Sequence, residues 1–282
     1  MAADIAVKDI AYHRSGSLEL LARLYTPRGS GPFPAVVDVH GGAWTSGDRT
    51  QNEAIHTPLV EAGIMVCALD FQNAPAGAYP VAVQEVNLGI RWMKAHAAEL
   101  GSRTELVGGL GSSSGGQTLL LNMLKPKEPR YAALKLAEAP NEDASLAYVV
   151  ACWPVADPVA RYRMVKSNGN ERLATNHHLY WGPEGAIAEA SPQHILEAGR
   201  LPRLPPLLII QGTSDDNLTP DMADRFEAAY RRAGGQVEQR KYAGQPHTFI
   251  TKTPTAPESL AALEAIKAFI LAQAATINAR RK

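Results

Sequence analysis

Ser113 stands at the centre of Gly111-Ser112-Ser113-Ser114-Gly115, with His40-Gly41-Gly42-Ala43-Trp44 upstream and Asp215 and His247 downstream. A serine hydroxyl is a weak nucleophile until a neighbouring base takes its proton, and that base must be held in one tautomer by a third group. A serine, an acid and a histidine in this order point to acyl transfer through a covalent intermediate. The pentapeptide singles out Ser113, because a nucleophile on a sharp strand-to-helix turn needs residues without bulk two positions to either side. Ser112 has Leu110 two residues before it and Ser114 has Ser112, so only Ser113 is flanked by glycine on both sides.

Of eight histidines, His247 is the strongest base candidate, since Gly244 to Phe249 reads as a loop between the last strand and the last helix. His96 falls on a helix and His13 on an opening strand; His56, His177, His178 and His194 read as surface, packing or pocket residues. Asp215 follows the apolar run Leu207 to Ile210, where a carboxylate at a strand end can reach inward. Asp216 is its near rival, and Asp157, after the run ending at Trp153, a weaker one. Asp221 and Asp224 read as helix residues, with Thr219 as N-cap and Pro220 in the first helical position. Acyl transfer also needs donors for the oxyanion, and glycines after a buried strand leave backbone N–H groups unobstructed. The expected donors are the N–H groups of Gly42, of Gly41 or Ala43, and of Ser114, with His40 anchoring the loop.

These groups need a scaffold that brings strand ends together. Strand-like and helix-like segments alternate through most of the chain, the pattern of a largely parallel sheet with helices on both faces. Strands are expected at Ile5 to Tyr12, Leu18 to Tyr25, Ala35 to Val39, Ile64 to Leu69, Leu106 to Leu110, Tyr148 to Trp153, Leu207 to Ile210 and Val237 to Tyr242. Helices are expected over Val81 to Leu100, Gln117 to Leu124, Asp221 to Ala233 and Glu258 to Ala274. Between Pro154 and Pro192 the strand signal stops, and aromatics, histidines and charge take over. A strandless stretch this long in an α/β chain reads as a helical cap over the site.

Composition narrows the function classes. The 282 residues are 45% hydrophobic and 20% charged, enough for a large core in one domain or two. Lys plus Arg equal Asp plus Glu at 28 each, so no basic field attracts nucleic acid or an anionic membrane, and the expected partner is a small molecule. Met1 to Ile10 has no apolar leader pattern, and no run is read as approaching the roughly 18 apolar residues of a membrane span, so the expectation is a cytoplasmic enzyme. Cys67 and Cys152 each lie in an apolar run and read as free core thiols, and no Cys or His spacing suggests a metal site. The chemistry described calls for no metal and no organic cofactor.

With these motifs placed, the chain resembles α/β-hydrolase-fold esterases of the hormone-sensitive-lipase-like, His-Gly-Gly type. In that family a His-Gly-Gly-Gly loop, a Gly-Asp-Ser-Ala-Gly-Gly elbow, a Gly-x-x-Asp loop and a late His recur in this order. They match His40 to Ala43, Gly111 to Gly116, Gly212 to Asp215, and His247, while Asp70 to Pro75 resembles the family's Asp-Tyr-Arg-Leu-Ala-Pro stretch. Ala43, Ser112 and Gln72-Asn73 depart from the pattern. The resemblance implies a single α/β-hydrolase domain over residues 1–282, with an eight-stranded, mostly parallel sheet and a cap insertion at about 154–192. It implies a carboxylesterase acting on small to medium acyl esters, with Trp44, Trp153, Tyr162, Tyr180, Trp181 and Phe249 as pocket walls and a homodimer as one assembly. His-Gly-Gly-x-Trp also resembles the arylformamidase branch, which cleaves an N-formyl amide of a tryptophan metabolite. A non-catalytic ligand receptor on the same fold is a third reading, against which all three triad residues stand.

Overall fold

A computed structural model describes residues 5–182, 184–199, 201 and 203–281. The chain runs β1 (Ala6–Ser15), β2 (Leu18–Thr26), β3 (Ala35–Val39), α1 (Glu53–Glu61), β4 (Met65–Leu69) and α2 (Val81–Ala95). A short 3-10 turn (Thr104–Leu106) precedes β5 (Val107–Ser112), α3 (Ser113–Leu124) and β6 (Val149–Cys152). Then come α4 (Pro158–Ser167), α5 (Glu171–Trp181), α6 (Glu184–Glu189) and α7 (Pro192–Glu197). β7 (Leu207–Gly212), α8 (Met222–Arg232), β8 (Val237–Tyr242), α9 (Phe249–Lys252) and α10 (Pro257–Ala279) complete the chain.

The strands form one sheet in the order β1-β2-β4-β3-β5-β6-β7-β8. β2 runs antiparallel to β1 and β4, and the other pairs are parallel. This is the α/β-hydrolase sheet that the motifs imply. β3 to β7 are buried at every position, as expected of parallel strands covered on both faces, whereas the edge strand β8 mostly alternates in burial. The crossovers change direction at β3, which lies between β4 and β5. The carboxyl ends of β3 and β5 therefore flank the topological switch point, the place where open α/β sheets bind ligands. Register brings those ends together, with Val39 opposite Gly111, Ser112 opposite Cys152, and Cys152 opposite Ile210.

Several boundaries move from their sequence-based positions for local reasons. α3 begins at Ser113 itself rather than Gln117, because Gly115 lets its first turn pack tightly against the end of β3 and Gly116 lets it pack against Pro154 and Gly111. α2 stops at Ala95 instead of reaching Leu100; the His96 imidazole meets the Trp92 carbonyl at 2.9 Å and a turn carries the chain to Gly101. α8 starts at Met222 with Asp221 as N-cap, so Thr219 and Pro220 belong to the preceding turn, and Asp221 pairs with Arg225 at 2.9 Å. The strandless stretch holds α4 to α7 and runs on to Glu197, past the expected end at Pro192.

The last helix corrects the reading that no segment matches a membrane span. α10 contains an 18-residue window of mean hydropathy 1.6 and is long and apolar enough to cross a membrane by length and composition. Its buried residues Ser259, Ala262, Leu263, Ile266, Ile270 and Ala274 recur every three or four positions, and the helix packs against β7, β8 and α1. The helix passes the length and composition criteria because alanines, rather than charged residues, occupy much of its open face.

Candidate active site

Ser113 sits at φ +52°, a left-handed conformation that side chains disfavour, at a cost of roughly 1–3 kcal/mol. The surroundings enforce it. The Ser113 carbonyl accepts from Val155 N at 3.0 Å, tying the turn to the chain leaving β6. A Cβ on Gly115 would lie 2.0 Å from the His40 carbonyl oxygen, so only glycine lets α3 start this close to β3. Ser113 and His247 keep 6% and 8% exposure, so both side chains are nearly enclosed.

His247, in the loop after β8, meets Ser113 Oγ through Nε2 at 2.8 Å and Asp215 Oδ2 through Nδ1 at 2.8 Å. An ionised carboxylate only accepts, so Nδ1 carries the proton and Nε2 presents its lone pair to the serine hydroxyl. Burial pushes the Asp215 carboxyl upward, but its bond and electrostatic attraction to the His247 ring, with donation from Gln211 and Asn217, outweigh burial and hold it below the ordinary carboxylate value. Gln211 Nε2 donates to Oδ2 at 2.9 Å and Asn217 N to Oδ1 at 2.9 Å, so both oxygens are fixed. The rival acids lie elsewhere. Asp216 is exposed, and Asp157 caps α4 through Ala160 N at 3.0 Å while pairing with Arg225 at 3.0 Å.

The His40 loop passes directly beside Ser113: a Cβ on Gly41 would lie 3.2 Å from Ser113 Cβ. Gly42, Ala43 and Trp44 have φ of +108°, +51° and +64°, and a Cβ on Gly42 would fall 1.9 Å from the Ser46 carbonyl oxygen. His40 meets the Gly41 carbonyl through Nδ1 at 2.8 Å and stacks on Phe71 at 4.2 Å. Burial lowers its basicity, which favours the neutral ring. Trp44 N donates to Ser114 Oγ at 3.2 Å, a side-chain role for Ser114 beyond its backbone N–H. The loop is braced by the Asp70 to Pro75 segment. Arg49 N and Nη1 donate to Asp70 at 2.9 and 2.7 Å, Asn73 donates to the Gly47 carbonyl at 3.0 Å, and Ala74 N to the Trp44 carbonyl at 2.8 Å.

The expected pocket residues divide into two groups. Trp153 lies 6.3 Å from the His247 ring and 5.5 Å from Phe249, so these two stand on the base side. Trp44 stacks on Tyr180 at 5.2 Å and meets Trp181 edge-on at 5.5 Å, its indole N–H donating to Gln117 Oε1 at 3.0 Å. Tyr162 joins this second group through His177 at 5.3 Å. The exposed His178 bonds Tyr162 Oη at 2.7 Å, and His194 lies 4.0 Å from Asp157.

Three groups of supporting residues escaped the sequence reading. Gln211 and Asn217 hold Asp215. Beneath the elbow, Asn52 Nδ2 donates to Asp38 at 3.1 Å and to Ser112 Oγ at 3.1 Å, and His56 Nε2 meets Asp38 at 2.9 Å, all four side chains being buried. A lone polar residue inside an apolar strand, such as Asp38 in Ala35–Val39 or Gln211 in Leu207–Gly212, is the available signal for such a network. The third group is Arg161, fully buried, with His177 Nε2 3.1 Å from its Nη1. Burial, helped by Arg161 and His178, pushes His177 down to about 3, so its ring is neutral.

A search of solved structures finds the same fold. Esterase B from Lactobacillus rhamnosis aligns with TM-score 0.81 at 19% identity, covering 99% of this chain and 90% of that one. An esterase from the archaeon Pyrobaculum calidifontis aligns with TM-score 0.77 at 24% identity, covering 95% and 86%. Among curated sequences, the carboxylic ester hydrolase LipN of Mycobacterium tuberculosis is 28% identical over 82% of this chain and 61% of its own. A probable isoprenylcysteine alpha-carbonyl methylesterase of Arabidopsis thaliana is 25% identical over 80% of this chain and 48% of its own. The chain spans about half the length of the curated relatives it matches. The α/β-hydrolase resemblance read from the motifs is borne out, and since the BD-FAE family model matches residues 23–230, the chain belongs to the BD-FAE family.

Proposed function

We propose that the protein is a serine carboxylesterase that cleaves esters of small to medium acyl chain. The observation that carries this reading is the unbroken hydrogen-bond chain Ser113–His247–Asp215, with both links at 2.8 Å, on a turn held at φ +52°. His247 takes the Ser113 proton as Oγ attacks the acyl carbon, and Asp215 stabilises the imidazolium that forms. Backbone N–H groups of Gly41, Gly42 or Ala43 and of Ser114 receive the oxyanion, each donor contributing about 2.7–4 kcal/mol to the transition state. His247 then protonates the leaving alcohol, and water activated by the same ring releases the acid.

The carboxylic ester hydrolases among the relatives support the ester bond as target. The bulk of Trp153, 6.3 Å from the His247 ring and packed on Phe249, supports a limited acyl length. A series of p-nitrophenyl esters tests this: turnover is expected to be highest between acetate and octanoate, and preference for long-chain emulsions contradicts it. N-formylkynurenine in the same series tests the formamidase alternative, which predicts faster cleavage of that amide than of any ester. Cytoplasmic residence and a homodimer belong to the same proposal, to be checked by cell fractionation and sedimentation; the unpaired thiols of Cys67 and Cys152 are consistent with a reducing compartment.

A further inference from the structure

Arg161 on α4 is 1% exposed and forms no ion pair with a carboxylate among the described residues. A buried cation that pairs directly with no carboxylate is costly unless neutral acceptors surround it. Here its Nε donates to the Asn217 carbonyl at 3.2 Å, Nη2 to Asn217 Oδ1 at 2.6 Å and Nη1 to His177 Nε2 at 3.1 Å. The guanidinium carbon lies 5.4 Å from the centre of the Trp44 ring. Burial and the nearby charge of Arg172 outweigh the attraction of the Asp215 carboxylate and lower its pKa to about 10, so it remains charged at neutral pH.

Each partner belongs to a piece of the site. Asn217 N donates to Asp215 Oδ1 at 2.9 Å, Trp44 N donates to Ser114 Oγ at 3.2 Å, and His177 lies on α5. A planar fork can grip a backbone carbonyl, a side-chain amide and an imidazole at once, which a single ammonium cannot do with the same geometry. We propose that Arg161 is a positioning residue: it fixes the Asn217 turn and the Trp44 loop, and through them the Asp215 carboxylate and the helical segment α4–α5, as one unit. The proposal rests on reading Ser113, His247 and Asp215 as a triad.

The test uses the full chain with R161M, R161K and N217A. Two readouts are followed: the low-field proton resonance of His247 Nδ1 against Asp215, and the rate at which a fluorophosphonate labels Ser113. In R161M and N217A the resonance is expected to broaden or move upfield and labelling to slow by about tenfold or more, since displacements near 1 Å can cost about a hundredfold. R161K, which keeps the cation without the fork, should fall between these and the wild type. Wild-type resonance and labelling in both R161M and N217A overturn the proposal. Should R161M fail to fold, N217A decides, because it deletes an acceptor on the loop and leaves the buried cation in place. Failure of the triad reading looks different: the wild-type protein itself then shows neither resonance nor labelling, and the proposal falls with it.

Discussion

At the scale of single residues, Asp215 has the most to lose. Both its oxygens are held, and its carboxyl lies below the ordinary value although it is buried. D215N keeps the shape but permits the wrong histidine tautomer, so ester turnover is expected to fall by about four orders of magnitude. Near-normal turnover would instead point to another acid. The same depression links folding to pH: a carboxyl more acidic when folded stabilises fully above its unfolded pKa, about 3.9, and loses that contribution as pH falls through its lower folded value. Acid unfolding followed by circular dichroism should therefore show a smaller loss of stability below about pH 4 in D215N than in the wild type. Equal acid sensitivity would count against a native-state depression at Asp215. The triad residues were legible from type, order and strand-end context. Arg161 was not, because Ala160-Arg161-Tyr162-Arg163 reads as an ordinary charged helix face, and only tertiary packing turns one of its two arginines inward.

At the scale of elements, the strand-to-helix turn depends on one close approach. G115A would push a methyl to 2.0 Å from the His40 carbonyl and 2.2 Å from that of Val39, a conflict with backbone that no rotamer relieves. Overpacking of this kind typically costs about 1–3 kcal/mol. A lowered denaturation midpoint and reduced fluorophosphonate labelling are expected together; a variant as stable and reactive as the wild type would refute the packing argument. The strands were the most readable elements, since short β-prone runs between turn signals leave little choice, and Ala35–Val39 and Val237–Tyr242 fall where the pattern puts them. Helix ends were less readable. α3 starts at Ser113 because the elbow geometry, not propensity, sets its first residue, and the α8 cap lies two residues later than expected, at Asp221 rather than Thr219.

At the scale of the whole molecule, the sheet buries both thiols. Cys67 on β4 and Cys152 on β6 are separated by β3 and β5, and burial pushes both thiols upward in pKa. A thiol reagent should accordingly modify neither cysteine in the native protein and both after unfolding, as counted by mass spectrometry; rapid native labelling would contradict the buried core. The mostly parallel, eight-stranded character of the sheet follows from the motifs and the alternation of elements. The fit of α4 and α5 against the Trp44 loop does not, because it depends on which faces of amphipathic segments meet in space. The central claim is that Ser113 is the nucleophile of an esterase. Its most direct test is hydrolysis of p-nitrophenyl butyrate by the wild type beside S113A, at equal concentration and with matched folding. The account predicts turnover by the wild type and its reduction by about 10⁶-fold, to background, in the variant; equal turnover by both proteins, or by neither, would contradict it.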